Sequence, residues 1–315
     1  MPEPGASRWT HPATILVATD LSDLDRLMPF ACRQAIDTRA RLLLLHVLSA
    51  SASMAVDAVG MPYYDPSTAL EFSAKTLETW RTLARQRNVA CDVLVREGNP
   101  AQQILAAVRQ FQADRILLGT RSRSKLSKLL LGSVAEQVLR SVHLPVITVG
   151  PEAHLPVGVS GNEKVVLHAT TLREASRPSA VLACRIAEGQ SARLVLLHVL
   201  PPMDEMKRDG LPTGLDSTAM LELRQLAEET GGAGCVHVEP RVVHGNPSIE
   251  ILATAAELRA SLIVLGATHR SALQNLTRDR TIYRVLAHAR CPVLTLKEAT
   301  ASVPSETTER AIIHL

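Results

Sequence analysis

A chain of 315 residues is long enough for two domains with separate cores, and 46% hydrophobic with 21% charged residues excludes both a disordered and a collagen-like chain. A formal net charge of +3 is too small for broad nucleic-acid binding, the opening residues carry no apolar leader, and no apolar run reaches the length of a membrane span. The expectation is therefore a protein of the cytoplasm with no nucleic-acid or membrane partner.

The first predicted element is a strand over 14–19, ending next to Asp20. An amphipathic helix holding Ala31 and Cys32 follows, and then a Leu-rich strand that starts at Arg41 and passes His46 and Val47. A loop over 49–67 leads to a second helix over about 68–87 and a third strand ending in Gly98-Asn99-Pro100. Asn at an N-cap with Pro at N1 is a helix start, because the missing proline N–H is not needed there. A fourth strand over 115–119, a polar loop, a fourth helix and a strand over 145–149 complete the unit.

The same order then returns. Arg41 to Leu48, RLLLLHVL, reappears as RLVLLHVL from Arg193 to Leu200, and Gly98-Asn99-Pro100 reappears as Gly245-Asn246-Pro247. Strands over 164–169, 262–266 and 292–296 and a helix over 215–230 match their first-half counterparts. Continuously apolar strands are buried on both faces, as in a parallel sheet covered by helices. The fold class is α/β: two tandem doubly wound five-stranded parallel-sheet domains, 1–150 and 151–300, with a linker over 150–162 and a tail over 301–315. His46 and His198 hold equivalent places near strand ends, which points to a shared structural role. The five scattered cysteines form no C-x-x-C pair and read as reduced, mostly buried thiols.

In an open parallel sheet, ligands bind beyond the carboxyl ends of the strands where strand order reverses. This marks Thr19 and Asp20 after the first strand and the loop opening at Gly119. Within that loop Arg121, Arg123, Lys125 and Lys128 stand without an acidic residue among them. Gly119 and Gly132 let backbone approach an anion, and Ser133 with Glu136 reads as an S-x-x-E capping box at a helix N-terminus. An anion is the natural guest. G-x-G-x-x-G, G-x-S-x-G and H-E-x-x-H are absent from the sequence, and 158–164 precedes a strand with the wrong spacing for a P-loop.

Gly119-x-x-Ser122, nine residues, then Gly132-Ser133 resembles the G-x-x-G, nine residues, G-S or G-T pattern of ATP-binding members of the universal stress protein family, with Ser122 in place of the second glycine. The resemblance covers nearly all of both halves. It implies an adenine nucleotide alpha hydrolase-like fold and a stress-response protein that binds ATP or ADP as a regulatory ligand in the first half, with Mg as a candidate companion ion. By that resemblance Asp20 holds the ribose or adenine edge and Val47 offers backbone to adenine. Gly119, Ser122, Arg123, Gly132, Ser133 and Val134 form the loop that wraps the phosphates. It also implies that 146–149 and 293–296 pair across a pseudo-twofold as an intrachain dimer, with an unidentified protein partner and a further homodimer as open expectations.

In the second half Thr171 replaces Asp20, and Gly266-Ala267-Thr268-His269, nine residues, Asp279-Arg280 replaces the loop. A carboxylate at Asp279 repels a phosphate, so this half is expected to bind no nucleotide. The alternatives to a regulatory nucleotide are a solvated basic loop on a non-nucleotide-binding scaffold and a very slow ATPase using Arg123 on phosphate charge. Asp20 can equally cap the following helix, and Arg121 and Lys125 can simply face solvent.

Overall fold

Strand β1 (Thr14–Thr19) is buried along its whole length, and its side chains divide by parity. Ile15 and Val17 enter one core layer and Leu16 and Ala18 the other, so both faces of the sheet are covered. The computed structural model describes residues 6–49, 54–56, 62–64, 66–120, 131–153, 164–204, 214–231, 237–268 and 280–298.

After the short helix α1 (Ala6–Thr10) and β1, the first half runs α2 (Leu24–Thr38), β2 (Arg41–Leu48), β3 (Met54–Val56), β4 (Pro62–Tyr64), α3 (Pro66–Gln86) and β5 (Cys91–Glu97). It continues with α4 (Pro100–Phe111), β6 (Arg115–Gly119), α5 (Ser133–Ser141) and β7 (Val146–Val149). The second half runs β8 (Val165–Ala169), α6 (Arg177–Gly189), β9 (Arg193–Leu200), α7 (Leu215–Gly231), β10 (Val238–His244), α8 (Pro247–Glu257), β11 (Leu262–Thr268), α9 (Arg280–His288) and β12 (Val293–Glu298).

Within each half the five main strands are parallel, ordered β5-β2-β1-β6-β7 and β10-β9-β8-β11-β12. The repeat seen in sequence is thus a repeat in topology. On one face α2 supplies Leu27, Ala31 and Ala35 to the core; on the other α4 supplies Ala101, Ile104 and Ala107 and α5 supplies Ala135 and Val138. Asn99 and Asn246 cap α4 and α8, accepting from Gln102 N and Ser248 N at 3.1 Å each, as the Asn-Pro starts predict.

The halves join through β7 and β12, which pair antiparallel with Ile147 opposite Leu294 and make one ten-stranded sheet. Thr148 Oγ1 donates to Val293 O at 3.2 Å and Thr295 Oγ1 to Val146 O at 3.3 Å, a reciprocal pair across the pseudo-twofold. Pairing the two fifth strands removes both of those edges, leaving β5 and β10 as the outer strands.

Several details differ from expectation. The predicted loop over 49–67 contains the antiparallel pair β3 and β4, and a one-turn 3-10 helix, Glu174–Ser176, precedes α6. The first residues of the expected linker stay with the first half, where Ala153 is buried and its N–H donates to Gly150 O at 3.2 Å. Residues 154–163 and the tail lie outside the described residues. Cys32, Cys91, Cys184 and Cys291 are buried free thiols, and burial pushes Cys91 and Cys291 up to about 12. Cys235 lies outside the described residues.

Candidate functional site

Strand order reverses between β1 and β6, which feed connections that wind away in opposite directions. A cleft of about 740 Å³ opens there, well within the range of small-molecule sites. Thr19, Asp20, Val47, Gly119, Gly132, Ser133 and Val134 all line it. The remaining two predicted positions, Ser122 and Arg123, fall in 121–130, outside the described residues, as do Arg121, Lys125 and Lys128.

The turn after β1 is held by side chains. Thr19 Oγ1 accepts from Leu21 N at 2.9 Å, and Leu21 takes a positive φ of 72°, reversing the chain. Asp20 Oδ1 accepts from Ser22 N at 2.9 Å and from Ser22 Oγ at 2.5 Å. Asp20 therefore does not cap α2; the N-cap position belongs to Asp23, whose side chain makes no capping bond. Instead Thr19 Oγ1 donates to Asp23 Oδ1 at 2.6 Å. Burial raises the Asp23 carboxyl to about 6, with nearby Asp20 adding to the rise and the Thr19 bond and Arg26 opposing it. His46 Nδ1 donates to Thr19 O at 2.9 Å and His198 Nδ1 to Thr170 O at 2.9 Å, the shared structural role expected of the two.

The other side of the cleft is built from the ends of the basic loop. The chain leaves β6 at Gly119 and Thr120, and Gly132 N donates back to Thr120 O at 2.8 Å, which sets the start of α5 beside the end of β6. Gly132 is the N-cap with no side-chain bond, so Ser133 is the first helical residue. The expected Ser133–Glu136 capping box is not formed. Glu136 turns along the helix to Arg140, at 2.7 Å, because one turn further on lies a cation that rewards it electrostatically. A glycine cap supplies no side-chain acceptor of its own to the first-turn amides, and the dipole end of α5 favours an anion.

Sequence reasoning missed two walls. Asp23 reads as an ordinary acid at a helix start, and nothing local signals that it folds under Gly119. Helix α3 contributes Ala69, Phe72 and Ser73 to the cleft. Its signal was present in Phe72, an aromatic on a helical face shared with Thr68, Thr76 and Thr79.

The second half copies the turn and loses the cradle. Thr170 Oγ1 accepts from Leu172 N at 3.1 Å and Leu172 has φ 58°, but Thr171 is exposed and its hydroxyl meets Ser176 Oγ at 2.9 Å. Ser176 is the N-cap of α6, so a neutral hydroxyl stands where Asp23 stands in the first half. Strand β11 does not stop at Gly266 as predicted; Ala267 and Thr268 continue it by pairing with Lys297 and Glu298 of the longer β12. Asp279 lies outside the described residues.

The family model for "Universal stress protein family" matches residues 13–150 and again 163–297. A universal stress protein of Methanocaldococcus jannaschii is 29% identical over 136 residues, covering 43% of this chain and 80% of the relative. One of Thermus aquaticus is 30% identical over 137 residues, covering 43% of this chain and 97% of the relative. A universal stress protein structure from Archaeoglobus fulgidus, 22% identical, matches 92% of this chain and 98% of its own with a TM-score of 0.68, so the tandem fold extends across the whole similarity. Among the described residues no helix is long and apolar enough to cross a membrane.

Proposed function

This chain belongs to the universal stress protein family, and we propose that its first half binds an adenine nucleotide, ATP or ADP, as a regulatory ligand in the cytoplasm. The second half then serves as the fixed structural partner of the first. The observation that carries this reading is the cleft at the β1–β6 switch point, which puts a carboxylate turn on one side and the glycine-capped N-terminus of α5 on the other.

A nucleotide has the complementary chemistry. Asp20, fixed by Ser22, accepts from ribose hydroxyls, and the backbone at Val47 meets the edge of the base. Gly119, Gly132, Ser133 and Val134 receive the phosphates, because a glycine N-cap leaves amides and positive dipole facing them. Ser122 and Arg123 complete that loop in sequence. Magnesium enters only as a counter-ion carried on the nucleotide. Binding, rather than turnover, is the reading, since Asp20 and Asp23 are both engaged in holding the turn.

The test is mass spectrometry of ligand released from the purified protein, with calorimetric ATP titration of the wild type and Gly132→Asp. That substitution imports the acidic residue found at the matching place in the second half. One nucleotide per chain, lost in the variant, is expected. No released nucleotide and no binding heat in the wild type would replace this reading with that of an interaction scaffold.

A further inference from the structure

We infer that Phe72 recognises the base, stacking on the face of a purine and so making the cleft selective for a nucleoside phosphate over a bare polyphosphate; this rests on the nucleotide reading above. Phe72 lines the cleft from α3 yet is 60% exposed. The chain has three phenylalanines, and the other two are used for packing: Phe30 is buried and Phe111 is packed against the core. An aromatic at the mouth of a cleft offers a flat apolar face on which a planar ligand group stacks.

The two halves supply an internal control. In α3 the inward positions Ser73, Leu77, Trp80 and Ala84 match Ala219, Leu223, Leu226 and Thr230 of α7 in spacing, and all but the partly buried Trp80 are buried. On that register Phe72 corresponds to Thr218, whose hydroxyl donates to Gly214 O at 3.3 Å in its own first turn. The aromatic is thus found in the half that keeps Asp20 and Gly132, and is replaced in the half that has lost both.

Topology places the residue at the right end. Helix α3 packs on β5 and β2, on one side of β1, whereas α5 follows β6 on the other. Two strand spacings, roughly 10 Å, separate β2 from β6. That is the reach of an extended nucleotide from base to phosphates, so a base under Phe72 leaves its phosphates at α5.

Calorimetry with ATP and with inorganic tripolyphosphate on the wild type, Phe72→Ala, Phe72→Leu and Phe72→Trp tests this. Stacking on one base predicts about a tenfold loss of ATP affinity in Phe72→Ala, tripolyphosphate affinity unchanged, and recovery in Phe72→Trp but not in Phe72→Leu. An exposed side chain leaves the unfolding midpoint unmoved in all three variants. Undiminished ATP affinity in Phe72→Ala, or an equal loss for tripolyphosphate, overturns the assignment while leaving the nucleotide reading intact. A wild type that binds no ATP overturns both.

Discussion

The Asp23 carboxyl occupies the space into which a side chain at Gly119 would project: a Cβ there would lie 2.2 Å from Asp23 Oδ2 and 3.3 Å from its Cγ. The end of β6 and the start of α2 are therefore packed through the absence of one side chain and the burial of another. Gly119→Ala is expected to destabilise the fold by about 1–3 kcal/mol, because Asp23 must leave a buried site where Thr19 holds it. Asp23→Ala vacates that space, so the double variant is expected to be more stable than the sum of the singles by about 1 kcal/mol. Urea denaturation of the four proteins measures the coupling, and strictly additive costs would show that the two residues do not compete for space.

Asp23 also carries a pH signature. Its carboxyl, raised from 3.8 to about 6 chiefly by burial, keeps its proton in the folded state over a range where the unfolded chain has released it. The folded state then binds more protons, so this group's contribution is fully present below pH 3.8 and is lost as pH rises to about 6. At about 1.4 kcal/mol per unit the total is at most about 3 kcal/mol. Asp23→Asn is expected to remove that slope from the stability profile. An unchanged profile in Asp23→Asn would refute the assignment.

Much of this was legible in the sequence because it is local or repeated. The RLLLLHVL and RLVLLHVL strands, the Asn99 and Asn246 caps and the β7–β12 pairing lie where periodicity, turn chemistry and resemblance put them. What escaped depends on residues distant in sequence. Asp23 becomes a cleft residue only because Gly119 arrives from β6, and Ser133 loses its capping role because Gly132 is tied to Thr120 and becomes the cap itself. The continuation of β11 past Gly266 needs a longer partner in β12, which no window centred on Gly266 contains.

His168 titrates in the opposite sense. It stands in β8 at the register that Val17 holds in β1, fully buried, with Nδ1 donating to Val264 O at 3.1 Å and Nε2 without a partner among the described residues. Burial lowers it from 6.5 to about 4, so between those values the unfolded chain binds a proton that the folded chain refuses. Stability from this site is lost as pH falls through that window, by about 3 kcal/mol in all. His168→Val imports the first-half residue, and it is expected to relieve acid unfolding while leaving stability at pH 8 within about 1 kcal/mol. Thermal melts from pH 4 to 8 decide this, and undiminished acid sensitivity in His168→Val would assign it elsewhere.

Arg115 is the largest polar commitment in the first core. Its side chain is fully buried, Nη1 donates to Gln34 Oε1 and Nη2 to Trp9 O, both at 2.7 Å, and burial lowers it to about 10 against the pull of Asp114. Through Trp9 this guanidinium holds α1, which rests on α6 of the second half, so a single residue of β6 ties the N-terminal segment across both halves. Arg115→Ala removes two hydrogen bonds and leaves a cavity, an expected loss of about 2–4 kcal/mol. Arg115→Leu, the residue type of Leu262 at the matching position, refills the volume but leaves Gln34 Oε1 and Trp9 O without their donor. Its stability cost should be smaller than that of alanine, while amide exchange over residues 6–10 quickens in both. Pairing Arg115→Leu with Gln34→Leu removes one orphaned acceptor and should recover part of the stability without slowing that exchange, because the tether to Trp9 is still missing. Exchange over 6–10 that stays at the wild-type rate in Arg115→Leu would show that packing of α1 on α6, and not the guanidinium, fixes the segment.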